Sequence, residues 1–174
     1  MNAVYLNHLK KFEDISCYTY PFPTGRLYIF GNKDSIKLVK FGHCIDHKKE
    51  IEKRFKSPIT EEMEKAIEFL DCYLIGEKRI LPCLDLSCFS EKEKEVYNEL
   101  INIQFGETIS YKKLSELAGI KNGARFVGNT MARNFFPIFI PCHRVINSNG
   151  IIGSYSAGKK IKKFLLQHEK VLSK

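Results

Sequence analysis

A cysteine followed by two basic side chains is the arrangement in this sequence best suited to covalent chemistry. The stretch Ile138–Ile146 reads IFIPCHRVI, so Cys142 follows an apolar run and a proline and precedes His143 and Arg144. Positive charge nearby lowers the pKa of a thiol, and the thiolate is the nucleophilic form of cysteine. His143 can also act as a base through a water molecule. The pattern predicts a buried apolar strand that ends at a nucleophilic Cys142.

A histidine that acts as a base needs an acidic group to fix its tautomer. Glu169, at the end of a predicted helix that begins at Lys159, is the candidate. This is the logic of hydrolytic triads transferred to a thiol. A cysteine hydrolase would also need an oxyanion hole, and no sequence feature indicates one. Residue types alone therefore leave Cys142 either as a catalytic nucleophile or as an ordinary buried thiol.

The positive charge of the chain is concentrated in its second half. The 174 residues include 28 Lys+Arg and 20 Asp+Glu, for a net charge of +8. Residues 1–89 hold 14 basic and 13 acidic residues, whereas residues 90–174 hold 14 and 7. This imbalance favours a polyanionic partner for the second half, although a solvated basic surface would have the same composition.

No apolar run approaches the roughly 20 residues of a membrane span, and the N-terminus lacks the apolar core of a signal peptide. We therefore expect a cytoplasmic protein, or a nuclear one if its source is eukaryotic, without membrane association.

The cysteine spacing contains no CxxC pair and predicts free thiols. His43, Cys44 and His47 come nearest to a zinc-ligand set, but the paired spacing of structural zinc sites is absent, and we expect no metal. The six cysteines are Cys17, Cys44, Cys72, Cys83, Cys88 and Cys142.

The first half of the chain has the pattern of a small α/β unit. Arg26–Phe30 and Ile36–Phe41 are rich in β-forming residues and predict a hairpin. Asp46–Lys56 and Thr60–Leu70 have helical apolar spacing, and Leu81–Leu86 is predicted to be extended.

The second half is predicted to be mostly helical. Ser90 and Glu93 form a capping box that opens a helix, which Gly106 is expected to end. Ser110 is expected to cap a short helix, and a glycine-containing turn separates that helix from the next, as in a helix-turn-helix. The predicted helices are Glu91–Ile103, Tyr111–Leu117, Asn122–Arg133 and Lys159–His168.

The string Pro141–Val145, PCHRV, resembles the active-site signature of the O6-alkylguanine-DNA alkyltransferases, or methylated-DNA–protein-cysteine methyltransferases. The resemblance extends in the family's order over most of residues 86–174. The further motifs are FGETISY at 105–111, RFVG at 125–128, Asn134 with Pro137, Ile138 and Ile140, SYSAG at 154–158, and LLQHE at 165–169.

The resemblance implies an α/β protein with two domains. Residues 1–85 would form a ribonuclease-H-like domain with a small antiparallel sheet, and residues 86–174 a mostly helical domain with the helix-turn-helix. The activity implied is irreversible, stoichiometric transfer of an alkyl group from O6-alkylguanine in double-stranded DNA, with O4-methylthymine as a further candidate. The protein would approach the minor groove as a monomer, flip the nucleotide and need no cofactor.

The resemblance also implies a catalytic role for five residues. Cys142 would accept the alkyl group, His143 would take its proton through water, and Glu169 would hold His143. Asn134 would brace the turn that presents the cysteine, and Tyr111 would donate a proton toward the leaving guanine.

Further residues would bind DNA or the flipped base. Arg125 would enter the base stack in place of the extruded nucleotide, and Gly128, Ser110 and Tyr111 would face the DNA. The base pocket would consist of Val145, whose carbonyl would accept from the guanine amine, with Tyr155, Ser156 and Lys162.

Four residues depart from the family pattern. Phe126, Asn129 and Thr130 stand where small residues are usual on the recognition helix, and Phe135 stands where proline follows the asparagine. We expect Phe126 to face the core. Two other functions remain open: an alkyltransferase-like protein that binds lesions without chemistry, and an unrelated cysteine hydrolase.

Overall fold

The chain folds into two compact units, residues 1–85 and 86–174, in a computed structural model. The structure describes residues 3–44, 55 and 58–171. Within those residues, no helix combines the length and the apolar character that a bilayer crossing requires.

The first unit contains a three-stranded antiparallel sheet with the order β1-β2-β3. The predicted hairpin is confirmed as β2 (Gly25–Gly31) and β3 (Ile36–Phe41), and β1 (Ser16–Phe22) pairs with the free edge of β2. Neither β1 nor the short helix α1 (Ala3–Leu9) was predicted from the sequence. The α/β character with a small antiparallel sheet is as expected.

One helix of the first unit is longer than its apolar spacing suggested. Helix α2 (Glu61–Ile75) begins after the cap Thr60, whose hydroxyl accepts from the amide of Met63, and it ends at Gly76 with φ 78°. The glycine, which tolerates a left-handed conformation, sets this end five residues beyond the predicted one. The predicted helix 46–56 lies outside the described residues, apart from Phe55.

The predicted extended segment 81–86 forms no strand. Its Leu84 pairs with Ile36 only as an isolated bridge, through hydrogen bonds of the Ile36 amide to the Cys83 carbonyl and of the Asp85 amide to the Ile36 carbonyl.

The second unit begins with α3 (Glu91–Ile101), and the predicted capping box of Ser90 and Glu93 is confirmed. The helix ends earlier than predicted, because Asn102 already serves as its cap. Gly106 therefore does not end this helix; it lies in the following turn with φ 84°.

The helix-turn-helix is confirmed. Helix α4 (Tyr111–Leu117) is capped by Ser110, and α5 (Ala124–Ala132) follows after a six-residue turn. A Cβ atom at Gly123 would lie 2.5 Å from the Ile120 side chain, so only glycine fits there. Asn122, predicted as helical, has φ 52° and belongs to the turn.

The predicted strand before Cys142 is not formed. Ile138 has φ 76°, and the amide of Ile140 bonds back to the carbonyl of Phe136 at 2.8 Å, so the chain turns tightly there. Cys142–Arg144 then form one turn of 3-10 helix. The remaining elements are the short parallel pair β4 (Ile109–Ser110) and β5 (Val145–Ile146) and the helix α6 (Lys159–His168).

Candidate active site

The side chain of Asn134 joins the tight turn to the cysteine. Its amide nitrogen donates to Sγ of Cys142 at 3.0 Å and to the carbonyl of Ile140 at 2.9 Å, and its oxygen accepts from the amide of Phe136 at 2.9 Å. All four residues are buried. Asn134 thus satisfies the polar groups of the turn and fixes the sulfur at once. The predicted bracing residue lies where such a role requires it.

The resting state of Cys142 differs from the prediction. Burial raises the pKa of its thiol, while hydrogen bonding from Asn134 and Tyr155 and the positive charge of Lys162 act in the opposite direction. Arg144 does not lower the pKa of the Cys142 thiol as expected, because its guanidinium binds the carboxylate of Glu169. The cysteine is therefore a neutral thiol at neutral pH, and it must lose its proton during the reaction.

His143, Arg144 and Glu169 form one buried network. Nε2 of His143 lies 2.6 Å from Oε1 of Glu169, and Arg144 donates Nε to Oε2 at 2.8 Å and Nη2 to Oε1 at 3.1 Å. Nη1 of Arg144 also donates to the carbonyl of Ile103 at 2.6 Å. The pairing of His143 with Glu169 was predicted from the sequence, whereas Arg144 as the second partner of that carboxylate was not.

The charges of this network follow from its contacts. Burial alone would raise the pKa of Glu169, but the hydrogen bonds from His143 and Arg144 and the Arg144 charge lower it to about 2. Burial lowers the pKa of His143, so the ring is neutral at neutral pH. A carboxylate cannot donate, and the ring must therefore carry its proton on Nε2. The basic nitrogen of His143 is then Nδ1.

Gly106, predicted only as a helix end, is a further part of this network. Its amide donates to Oε2 of Glu169 at 3.1 Å. Its φ of 84° and the 3.2 Å from an added Cβ to the Glu169 carbonyl both favour glycine.

The stability of the protein should fall as the pH falls, in two stages. The pKa of His143 is lowered from 6.5 in the folded protein. Below about pH 6.5 the unfolded chain therefore binds more protons than the folded one, and the folded state loses stability. The pKa of Glu169 is lowered from 4.5 to about 2, so its contribution is complete above 4.5 and lost below. Urea denaturation at several pH values should show the free energy of unfolding decreasing below pH 6.5 and more steeply below 4.5. A constant free energy of unfolding between pH 7 and 3 would contradict this prediction.

Lys162 is a buried cation beside the cysteine. Its Nζ donates to the carbonyl of Val145 at 2.5 Å, and burial lowers the pKa of the ammonium to about 8. Its positive charge favours the thiolate of Cys142. The Val145 carbonyl, predicted to bind a guanine amine, thus already accepts one hydrogen bond and keeps a second lone pair.

A cavity of about 560 Å³ opens beside Cys142. Its volume is within the usual range for small-ligand sites. Five of the predicted site residues line it, namely Cys142, Tyr111, Gly128, Tyr155 and Ser156, together with residues of the 147–154 loop, Met131, Ala132 and Lys159. The structure thus brings the proposed nucleophile, the proton donor and two of the four base-pocket residues, Tyr155 and Ser156, to one cavity, whereas Val145 and Lys162 do not line it.

Tyr111 is a protonated donor at this cavity. Burial and the neighbouring Cys142 raise the pKa of its phenol, so it keeps its proton at neutral pH. The Tyr111 hydroxyl packs against Gly153, where an added Cβ would lie 2.7 Å from the oxygen.

A Gly153→Ala variant should therefore displace the Tyr111 hydroxyl. We expect the single-turnover rate of the reaction at Cys142 to fall about tenfold or more, because small displacements of a reacting group are costly. The effect should shrink in a Tyr111→Phe background, where the clashing oxygen is absent. Equal slowing in both backgrounds would contradict the role of this contact.

The predicted DNA-facing residues lie on the helix-turn-helix. Arg125 is exposed in the first turn of α5, Gly128 borders the cavity with open space at its Cα, and Ser110 caps α4. Asn129 is exposed as well.

Phe126 and Thr130, two residues of α5 that depart from the family pattern, differ in burial. Phe126 was predicted to face the core, but it is only half-buried. It lies at the margin of the buried face that holds Val127. Thr130 is buried, and its hydroxyl donates to the carbonyl of Phe126 at 3.0 Å.

Among the described residues, no three His, Cys, Asp or Glu side chains come together as a group that could hold a metal ion. His47, one of the three zinc candidates, lies outside them.

Known proteins resemble both the sequence and the fold. A family model for the DNA-binding domain of 6-O-methylguanine DNA methyltransferase matches residues 91–171. A methylated-DNA–protein-cysteine methyltransferase of Methanosarcina acetivorans is 34% identical over 148 residues, covering 84% of this chain and 93% of that protein. The protein of the same name from Homo sapiens is 44% identical over 92 residues, so the match covers 51% of this chain and only 44% of the human protein. The crystal structure of Mycobacterium tuberculosis OGT in complex with DNA has a TM-score of 0.75 and 27% identity, over 89% of this chain and 93% of that one.

Proposed function

Because this chain belongs to the methylated-DNA–protein-cysteine methyltransferase family, we propose that it repairs DNA by moving the alkyl group of O6-alkylguanine onto Sγ of its own Cys142. The observation that carries the proposal is the position of Cys142, which is held by Asn134 and borders a cavity of about 560 Å³ together with Tyr111. A lesion-binding relative without chemistry would not need this sulfur.

The target atom is buried in the duplex, so the nucleotide must leave the base stack to reach the cavity. Arg125, exposed at the start of α5, would fill the gap. Damaged pairs cost least to open, which favours lesions over normal guanine. The exposed Arg125, the open Gly128 and Ser110 support docking of the helix-turn-helix in the minor groove, and the basic second half predicts affinity that falls with salt.

The chemical step is a displacement at the alkyl carbon. A bond forms between Sγ of Cys142 and the carbon, and the bond from the carbon to O6 breaks. The thiol proton passes through a water molecule to Nδ1 of neutral His143, whose imidazolium the Glu169 carboxylate stabilises. Tyr111 donates a proton to the departing guanine, which would otherwise be a poor leaving group. Lys162 supports the developing thiolate.

Three properties follow from this chemistry. The product is a thioether, which water does not readily cleave, so each molecule acts once and needs no cofactor. One chain supplies every group named in the step, so a monomer suffices. The reaction belongs where the DNA is, in the cytoplasm or in the nucleus of a eukaryote. The same cavity makes O4-methylthymine a second candidate substrate.

Mass spectrometry of the intact protein tests the proposal. After incubation with a duplex that contains O6-methylguanine, we expect the mass of one methyl group to be added and to map to Cys142. A binding protein would retain the lesion duplex and gain no mass. A cysteine hydrolase would leave the lesion unchanged, and either result would contradict the proposal.

An Arg125→Ala variant should separate flipping from chemistry. Because opening a base pair costs a few kcal/mol, we expect repair of duplex O6-methylguanine to slow about tenfold or more. Reaction with free O6-benzylguanine, which needs no flipping, should keep its rate. Lys94→Ala, which removes one cation from α3, is the matched control. Equal slowing with both substrates would remove Arg125 from this role.

A further inference from the structure

The first two turns of α3 contact the end of the recognition helix α5. The Tyr97 hydroxyl donates to the carbonyl of Thr130 at 2.9 Å. Oε1 of Glu93 pairs with Nη1 of Arg133 at 3.0 Å, while its Oε2 accepts from the amide of Ser90 at 3.0 Å. Tyr97 and Glu93 are both buried, so these contacts fix the last turn of α5 against α3.

An aromatic chain continues from the same place to the residue after Asn134. The ring of Phe89, just before α3, meets Tyr97 edge to face with centroids 5.0 Å apart. It also meets Phe135, with centroids 5.4 Å apart and an interplanar angle of 61°. Edge-to-face aromatic pairs contribute stabilisation in addition to that from the apolar area they bury.

Asn134 therefore lies between two residues whose side chains are both bound by the segment 89–97. Arg133 before it is bound by Glu93, and Phe135 after it packs on Phe89. Asn134 in turn is the residue whose amide donates to Sγ of Cys142. The position of the sulfur thus depends on a backbone segment, residues 133–135, that α3 holds from one side.

We propose that Phe89, Glu93 and Tyr97, here called the α3 platform, are positioning residues for alkyl transfer, acting through residues 133–135 and Asn134 on Cys142. This inference rests on the proposed function, since it concerns the geometry of that transfer. Displacement requires the sulfur in line with the bond that breaks, and an error of about 1 Å costs about a hundredfold in rate. None of the three platform residues lines the cavity. The platform limits the freedom of the group that holds the sulfur.

Two variants with half-buried or exposed side chains test the platform without removing core groups. Phe135→Leu loosens the contact to Phe89, and Arg133→Met removes the ion pair to Glu93. We expect single-turnover transfer from free O6-benzylguanine to slow about tenfold in Phe135→Leu and several-fold in Arg133→Met. Phe164→Leu, which changes a half-buried ring stacked on His168 in α6, is the matched control and should keep the rate.

A double-mutant cycle identifies the contact that matters. If Phe135 acts through Phe89, then Phe89→Leu should slow the reaction, and the variant with both changes should be no slower than Phe135→Leu alone. Additive slowing would overturn the proposed path through the ring pair.

Thiol reactivity provides a readout that a loss of stability would not move. Donation from Asn134 favours the thiolate of Cys142, so a looser Asn134 should shift the pH midpoint of Cys142 carboxamidomethylation by iodoacetamide upward. Peptide mapping separates Cys142 from the other cysteines, and thermal melting shows that each variant is folded. Folded variants with unchanged transfer rate and unchanged midpoint would overturn the inference. If the wild type transfers no alkyl group, the proposed function fails, and the iodoacetamide midpoints still decide the positioning.

Discussion

A Cys142→Ala variant should transfer no alkyl group, while it still binds duplex DNA that contains O6-methylguanine. Removing the nucleophile leaves the cavity, Arg125 and the basic surface in place but no acceptor for the alkyl carbon. We expect the transfer rate to fall by at least about 10⁴-fold, as it does when nucleophiles of covalent enzymes are removed. Single-turnover assays with intact mass detection measure the rate, and a gel-shift titration measures binding.

The matched control for this variant is Cys83→Ala, which removes an exposed thiol of the first unit. It should transfer the alkyl group at the wild-type rate. A methyl adduct on any other cysteine of the Cys142→Ala protein would show that the acceptor was assigned wrongly.

Replacing Glu169 with alanine should reduce both stability and transfer. The change leaves Arg144 and His143 buried without their carboxylate, and breaking a buried pair on one side costs about 3–5 kcal/mol. His143 would also lose the acceptor that keeps its proton on Nε2, and the wrong tautomer in an analogous triad lowers turnover about 10⁴-fold. We expect a decrease of at least about a hundredfold in transfer rate. Urea denaturation and single-turnover kinetics measure the two effects.

Glu169→Gln distinguishes charge from shape at this position. It keeps the size of the side chain but cannot neutralise Arg144, and it should lose most of the transfer rate with a smaller loss of stability. Glu95→Gln, on the exposed face of α3, is the control for removing one carboxylate and should change neither quantity. A wild-type transfer rate in Glu169→Gln would exclude Glu169 from the proton path.

The local features of the second unit could be predicted because short-range chemistry determines them. The cap of Ser90 with Glu93, the cap of Ser110 and the glycine turn at Gly119 depend on residues within a few positions of each other. The meeting of His143 with Glu169 spans 26 residues, and it was inferred from the need of a basic histidine for an orienting acid and from the resemblance to a family, not from local pattern.

The protonation state of the cysteine could not be predicted from its neighbours in sequence. Arg144 follows Cys142 closely, yet its guanidinium points to Glu169 and the Ile103 carbonyl, partners that only the tertiary fold provides. The sign of the shift in the Cys142 pKa depends on how deeply the sulfur is buried, which a sequence does not state.

Two further differences have backbone causes. The apolar run before Cys142 has the composition of a strand, but Ile138 adopts a left-handed conformation that β-branched residues rarely take. Strand β1 was missed because its pattern is weak, with an exposed Pro21 and three half-buried residues, and its pairing to β2 holds it in place.

The neutral, buried state of the Cys142 sulfur has a consequence for how long the protein keeps a reactive thiol. Peroxides and soft electrophiles react with exposed thiolates, and a buried thiol of raised pKa is a poor target for them. Exposed Cys83 would be attacked first, without harm to repair. For the single-use chemistry proposed above, this protection would keep the one acceptor atom chemically intact until the reaction takes place.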